Sequence, residues 1–536
     1  MTERSEGTTG TAPTVAAERS GAVTERSEGT TGTAPTVAAE RSGAATATQV
    51  RPDAPSARRG VLSTARDRLP ERSDRPAWIR LLAVVAVIAA FATALTVALG
   101  ASALRNGIDS LGHKTAPGVA ASQDLASALA DMDAQTTNLL LVGDDSALSD
   151  TRTYALTTYE QRRTQADRDL QQATAIAGND AGAKDTVNNL LDQFGQYQAL
   201  VANIELLESS GHNPAGHPSA DILSQYQQAT DMNAGMLRET QILTDQNSTV
   251  LQTAYASTRH SAAVSGMWLA IFALVLFVAL IGLQIMLRLM MRRWLNPALL
   301  VATALALAMV IGGAIATAQA ESQLRTAKQD AFDSLLSLEQ ARAIGYDANA
   351  DESRYLADPA RAQDYQNAFL SKSQRLVQLG MPTQTQYYAL PQYYPALVTG
   401  VDAVDGGHGA AFGGLFGDEL HNITFAGEGD AAKATVDAYR AYQADDHTLR
   451  ADAATDLRQA ISFDTNPQPG SSDGDFDAFN SQLDILIGIN QHAFDTAIPA
   501  GIDALSGWAT WLPYVLFALV TVAIFLGVRP RLAEYR

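Results

Sequence analysis

The stretch SAAVSGMWLAIFALVLFVALIGLQIMLRLMMRRWLNPALLVATALALAMVIGGAIATAQA, residues 261–320, decides how the chain is organised. It holds two runs of 27 residues without a charge, Ser261 to Leu287 and Trp294 to Ala320, on either side of the basic connection Arg288-Leu289-Met290-Met291-Arg292-Arg293. At about 1.5 Å per helical residue each run is long enough to cross a hydrocarbon core about 30 Å thick. Working outward, Leu81 to Leu104 and Ala504 to Val528 are also apolar, and none of the four runs contains Asp, Glu, Lys, Arg or His. Four membrane crossings are predicted, with no proton relay or charged ion path inside them. Gly266, Gly282, Gly312, Gly313 and the four-apart pair Ala302 and Ala306 are candidate points of close helix packing.

Basic residues set the expected orientation. The connection at 288–293 has three arginines and no acid, and the 30 residues before Leu81 carry eight arginines against four acids. The end of the chain, from Val528 to Arg536, is basic as well. By the positive-inside bias all three belong in the cytoplasm. The regions between spans then lie outside, and they are acidic: 9 basic and 19 acidic residues over 105–260, 11 and 27 over 321–503. The net charge of −19 thus describes exposed domains and argues against nucleic acid as a partner. No cysteine is present, so disulfides, thiolate catalysis and cysteine-ligated zinc are excluded.

The predicted fold class is all-α: four transmembrane helices with two extracytoplasmic antiparallel helical bundles. A cytoplasmic tail over 1–76 opens the chain, and within it residues 2–22 recur at 24–44. This repeat has almost no large apolar side chains to offset ordering entropy, and disorder is expected. The spans are placed at 78–104, 261–287, 294–320 and 504–528, the bundles at 105–260 and 321–503, and cytoplasmic pieces at 288–293 and 529–536. Helices are expected over Val119–Val142, Ala147–Ile176, Ala181–Leu207 and from Ser219 without a break into the second span. In the third of these Val187, Leu190, Leu191, Phe194, Leu200, Val201 and Ile204 mark an apolar face. In the second region, helices are expected from Gln319 to about Ala343, then over Arg361–Leu379, Gln384–Val401, Ala431–Ile461 and Phe476–Ile498, with a break or kink before Pro499. Gly143 and Arg152 find counterparts 202 residues on in Gly345 and Arg354, which suggests an old duplication of a span, bundle, span unit.

No catalytic, cofactor or metal constellation is found. The eight histidines form no His-x-x-x-His pair, and Asp473-Gly474-Asp475-Phe476-Asp477 lacks the rest of a calcium loop and reads as an acidic helix cap. Candidate partner-binding residues are Tyr387, Tyr388, Tyr393 and Tyr394, where proline and aromatic residues crowd together, and His408, Phe412, Phe416 and His421 of the glycine-rich segment that follows. A bundle core is the competing reading of the tyrosines. Arg288, Arg292 and Arg293 are the candidate cytoplasmic relay.

This order of tail, span, helical domain, two spans joined by Arg288-Leu289-Met290-Met291-Arg292-Arg293, second helical domain and last span with a short basic tail resembles the GlnX family of actinobacterial four-pass membrane proteins. The resemblance covers about residues 78–536 as a layout. It implies a signal transducer in the cell membrane, both termini cytoplasmic, that relays a glutamine or aspartate signal from an extracytoplasmic solute-binding lipoprotein to a soluble cytoplasmic Ser/Thr kinase. The outer domains also resemble the four-helix-bundle sensor domains of bacterial chemoreceptors and histidine kinases. A non-enzymatic receptor is therefore expected, with membrane lipid and a second copy of the chain as further partners. A cell-envelope scaffold and a transporter component are the alternatives.

Overall fold

The computed structural model describes residues 75–178, 180–291, 296–379 and 412–533. Among them the chain is all-α, without a strand beyond an isolated antiparallel bridge between Gln378 and Gly413. Helix α1 (Arg75–Ser110) passes through a π-helical turn, π1 (Leu111–Thr115), into α2 (Ala116–Val142). The chain returns in α3 (Ser149–Ala177), goes out in α4 (Ala181–Gly211) and comes back in α5 (Ala220–Met291), an unbroken helix of 72 residues. The second half opens the same way: α6 (Pro297–Arg325), a second π segment, π2 (Thr326–Phe332), and α7 (Asp333–Ala357). It continues in α8 (Ala362–Leu376), α9 (Leu415–His421), α10 (Glu428–Ala453), α11 (Leu457–Asp464) and α12 (Ser472–Ala504), and ends in α13 (Leu512–Ala533). Helices α1, α5, α6 and α13 are long and apolar enough to cross a membrane, and the chain is a multi-pass membrane protein.

The four spans pack as a bundle around small side chains. Ala86, Ala90 and Ala94 of α1 meet Leu280 and Leu283 of α5, Ala302 and Ala306 of α6, and Val520 of α13 in one buried cluster. A Cβ added to Gly313 would lie 2.9 Å from Val97, and one added to Gly312 would lie 2.5 Å from Trp508, so both glycines permit close approach. Gly266 meets nothing within 4 Å and Gly282 meets Leu82 only at 3.8 Å, so these two are not packing points.

Outside the spans, amphipathic pattern and capping explain the first-half helices. The buried face of α4 runs through Val187, Leu190, Phe194, Tyr197, Val201 and Ile204, spaced alternately by three and four. Tyr197 is fully buried while Leu191 is 41% exposed, so the face lies slightly off the one expected from aliphatic residues alone. Asp180 caps α4 by accepting the Ala183 amide at 3.0 Å. Gly143 ends α2 at φ 54°, where a Cβ would lie 2.6 Å from the Asn213 carbonyl oxygen.

The two regions that the sequence separates, 105–260 and 321–503, interlock. One apolar core joins Met132, Phe194 and Tyr226 of the first half to Leu356, Leu449 and Ile461 of the second. Another joins Val119, Leu251 and Tyr255 to Phe332, Tyr439 and Phe479. The 202-residue pairing does not hold, because Gly143 is a helix cap whereas Gly345 sits inside α7 against Phe479. The structural correspondence is 215 residues: π1 and π2 begin at 111 and 326, and α2 and α7 end at 142 and 357. Nor does the chain break before Pro499, which lies within α12. Proline costs a helical hydrogen bond, offset here by packing of Ile498 over Gly112 of π1 and of Gly501 against Ile108 and Gln323. The turn comes later, where Gly507 adopts φ 80°.

Candidate functional site

Helices α2 and α7 run side by side through the middle of the membrane-distal body, and neither has a solvated face there. Every residue from Ser127 to Gly143 is buried, as is every residue from Ala348 to Arg354. A helix hidden all round normally carries apolar side chains only. These two carry Asp131, Asp133 and Asn138, and Asn349, Asp351, Glu352, Ser353 and Arg354. Asp133 lies 29 residues beyond Leu104, roughly 40 Å above the span at about 1.5 Å per residue.

Arg354 is the centre of the layer. Its Nε and Nη2 donate to Asp133 Oδ2 of α2 at 2.9 and 2.7 Å, and its Nη1 donates to Asp351 at 2.6 Å and Asp347 at 3.1 Å. Lys372 of α8 closes the group, 2.6 Å from Asp351 and 2.7 Å from Asp347. Burial pushes the Asp347 carboxyl up, but Lys372 and Arg354 outweigh it and hold it at about 2. For Asp351 burial wins against the same two cations, and its pKa is raised. Buried charges cost several kcal/mol unless paired and hydrogen-bonded, so this arrangement is held by its partners and loses its balance if any one is removed.

Beside it lies a group with too few cations. Glu352, Asp446 and Asp464 share Arg450, which donates to Asp446 at 3.1 Å and lies over the Tyr355 ring at 4.4 Å. Glu352 accepts from Ser472 at 3.1 Å, and the Ser353 hydroxyl, with one proton to give, lies 2.9 Å from both Asp464 Oδ2 and Asn138 Oδ1. Burial, then repulsion from Asp446 and Asp464, pushes Glu352 well above the carboxylate range. Burial lifts Asp464 to about 7 against the opposing Ser353 hydroxyl and Arg450. Asp473 is raised in the same way, chiefly by burial, and accepts the Asn138 and Asn349 amides at 3.1 and 3.2 Å. It therefore docks the start of α12 onto α2 and α7, whereas the N-cap of α12 is Ser471. Clusters of shifted carboxyls of this kind accompany functional sites.

Further polar ties cross between the halves: Arg162 to Tyr346 at 2.8 Å, Gln227 to Asp358 at 2.8 Å, and Arg361 to Asp231 at 2.8 Å. Below them, a few residues beyond the apolar runs, the two π segments interrupt the helices that leave the first and third spans. Lys328 of π2 is buried, 2.7 Å from Asp333 and 5.8 Å from the Tyr255 ring centre on α5. Ile498 of α12 covers π1. π turns inside α-helices are frequent at functional sites. Among the described residues no group of three His, Asp or Glu side chains is placed to hold a metal ion.

The sites expected from sequence fall elsewhere. Tyr387, Tyr388, Tyr393, Tyr394 and His408, with Arg292 and Arg293, lie outside the described residues. Phe416 is 1% exposed and packs edge-on against Tyr439 and Phe479, and Phe412 is buried too, which places both rings in the core and not on a docking surface. His421 is exposed, its Nδ1 2.6 Å from the Gly417 carbonyl. Arg288 is exposed and lies in the last turn of α5. The charge layer has almost no local mark in the sequence. Its one signal was the run Asp351-Glu352-Ser353-Arg354, four polar residues in succession on a helix, which sends at least one toward any core the helix faces.

No curated protein and no solved structure matches the chain. Residues 107–256, from the end of α1 to the outer part of α5, match the family described as the actinobacterial sensor domain, which together with the four spans fits a signal-sensing membrane protein.

Proposed function

We propose that the chain is a non-enzymatic transmembrane signal transducer. It takes a glutamine or aspartate signal from a solute-binding lipoprotein outside the cell and passes it to a soluble Ser/Thr kinase in the cytoplasm, as the resemblance to the GlnX family implies. The observation that carries the reading is helix α5: 72 residues run unbroken from the membrane-distal body, against α2, to the far side of the membrane. Helices α1 and α6 reach the same body through π1 and π2. A partner docked on either half biases the buried contacts of Arg354, and α2 and α7 respond as packed rods. The π segments then take up or release a residue of register, and the spans shift relative to one another.

The test is made in cells that hold the native kinase. Addition of glutamine or aspartate should change phosphorylation of the kinase's substrate when the wild-type chain is present and leave it unchanged when the chain is deleted. Arg354→Met should act like the deletion while the protein still reaches the membrane. A response to the amino acid that persists without the chain contradicts the proposal.

A further inference from the structure

Between α1 and α13 a groove of about 830 Å³ opens sideways at the end of the spans remote from the charge layer. Its walls are mainly apolar, with Val84 and Ile88 of α1 and Phe525 and Val528 of α13, and Thr521 of α13 is the uncharged polar side chain among them. Val84, Ile88 and Phe525 are 55, 62 and 57% exposed, so these side chains face outward from the bundle. At its mouth stand Arg80 and Arg529, one residue before and one residue after the apolar runs of their helices. Among the described residues no acidic side chain lines it. From Arg80 to Ile88 the helix rises about 12 Å, close to the depth of one leaflet's hydrocarbon, roughly half of the 30 Å core.

This combination selects its occupant. An apolar trough that opens to the side of a transmembrane bundle is filled by an acyl chain, and two guanidiniums at the headgroup level favour phosphate, with which arginine forms paired hydrogen bonds. We infer that this groove binds one anionic phospholipid, its chain along Val84, Ile88 and Phe525 and its phosphate between Arg80 and Arg529. The lipid lies against the two outer spans, so it bridges the first and last crossings of the chain. It thereby stabilises one arrangement of α13 against α1.

The experiment is native mass spectrometry of the full chain after reconstitution into nanodiscs of equal phosphatidylglycerol and phosphatidylcholine. The wild type should retain one phosphatidylglycerol in preference to phosphatidylcholine. Arg80→Gln combined with Arg529→Gln should reduce that retention about tenfold with helicity unchanged. Val84→Trp, which fills the trough and leaves both arginines, should reduce retention of either lipid. Equal retention of the two lipids by the wild type, or unchanged retention in both variants, overturns the inference. So does a change from dimer to monomer in Val84→Trp with lipid retention intact, because the groove would then be a contact between copies.

Discussion

Helices α2 and α7 stand at corresponding places in the two halves, yet they solve the problem of a buried polar residue in opposite ways. With the 215-residue correspondence, Thr136 and Thr137 of α2 match Asp351 and Glu352 of α7. The threonines pair with tyrosine hydroxyls, Thr136 with Tyr197 at 3.3 Å and Thr137 with Tyr226 at 2.8 Å. The acids meet Lys372, Arg354 and Ser472. A neutral hydroxyl pair has the same strength across the physiological range, whereas a set of buried carboxyls in excess over its cations responds to charge, pH and displacement. At these two positions α2 thus holds a fixed support and α7 the groups able to change state, with Arg354 joining the helices through Asp133.

The largest expected effect comes from that junction. Arg354→Met leaves Asp133, Asp347 and Asp351 short of a cation in a buried site, and should cost about 3–5 kcal/mol in chemical unfolding of the detergent-solubilised protein. A loss below about 1 kcal/mol would mean that the halves are held by their apolar cores alone.

Next comes pH. Asp464, Glu339, Glu419 and Asp445 of the second half and Asp169 of the first are lifted to about 7, each chiefly by burial. A carboxyl raised in the folded state adds stability fully below its unfolded pKa, about 4, and that contribution is lost as pH rises through about 7. Asp347, held at about 2, works the other way, but its contribution is lost only as pH falls toward 2 and leaves this window untouched. The melting temperature should therefore fall between pH 6 and pH 8. Glu352→Gln combined with Asp464→Asn should flatten the slope and raise the melting temperature at pH 8, and a slope identical to wild type would remove these two acids as its cause.

The smallest effect belongs to the neutral hydroxyl pair. Thr137→Val keeps the shape, removes the partner of the Tyr226 hydroxyl, and should cost about 1–2 kcal/mol with no change in pH slope. A changed slope would erase the contrast between the two helices.

What could be read in the sequence follows from the range of the forces involved. Spans and the helices of the first half are written locally, in uncharged length and in the spacing of Val187, Leu190, Phe194, Val201 and Ile204. The charge layer is not local. Asp133 finds Arg354 across 221 positions and Asp473 finds Asn138 across 335, and nothing near either acid announces its partner. The interlocking of the halves was hidden for the same reason, since each amphipathic helix is compatible with a bundle that closes on itself. The π segments leave no periodic trace, because a single extra residue in a long helix shifts the pattern without breaking it.

The absence of cysteine allows the central claim to be tested by spin labels at two introduced sites. Leu289 on α5 and Leu526 on α13 are 78 and 58% exposed and lie near the ends of the spans remote from the charge layer. The distance between labels at Leu289→Cys and Leu526→Cys is to be measured by pulsed electron spin resonance in nanodiscs, with Arg354 intact and with Arg354→Met. If the charge layer and the spans move as one body, loss of Arg354 should shift the mean distance by about 1.5 Å or more, the rise of one helical residue. Identical distance distributions, with helicity retained, would contradict transmission from the buried layer to the far side of the membrane.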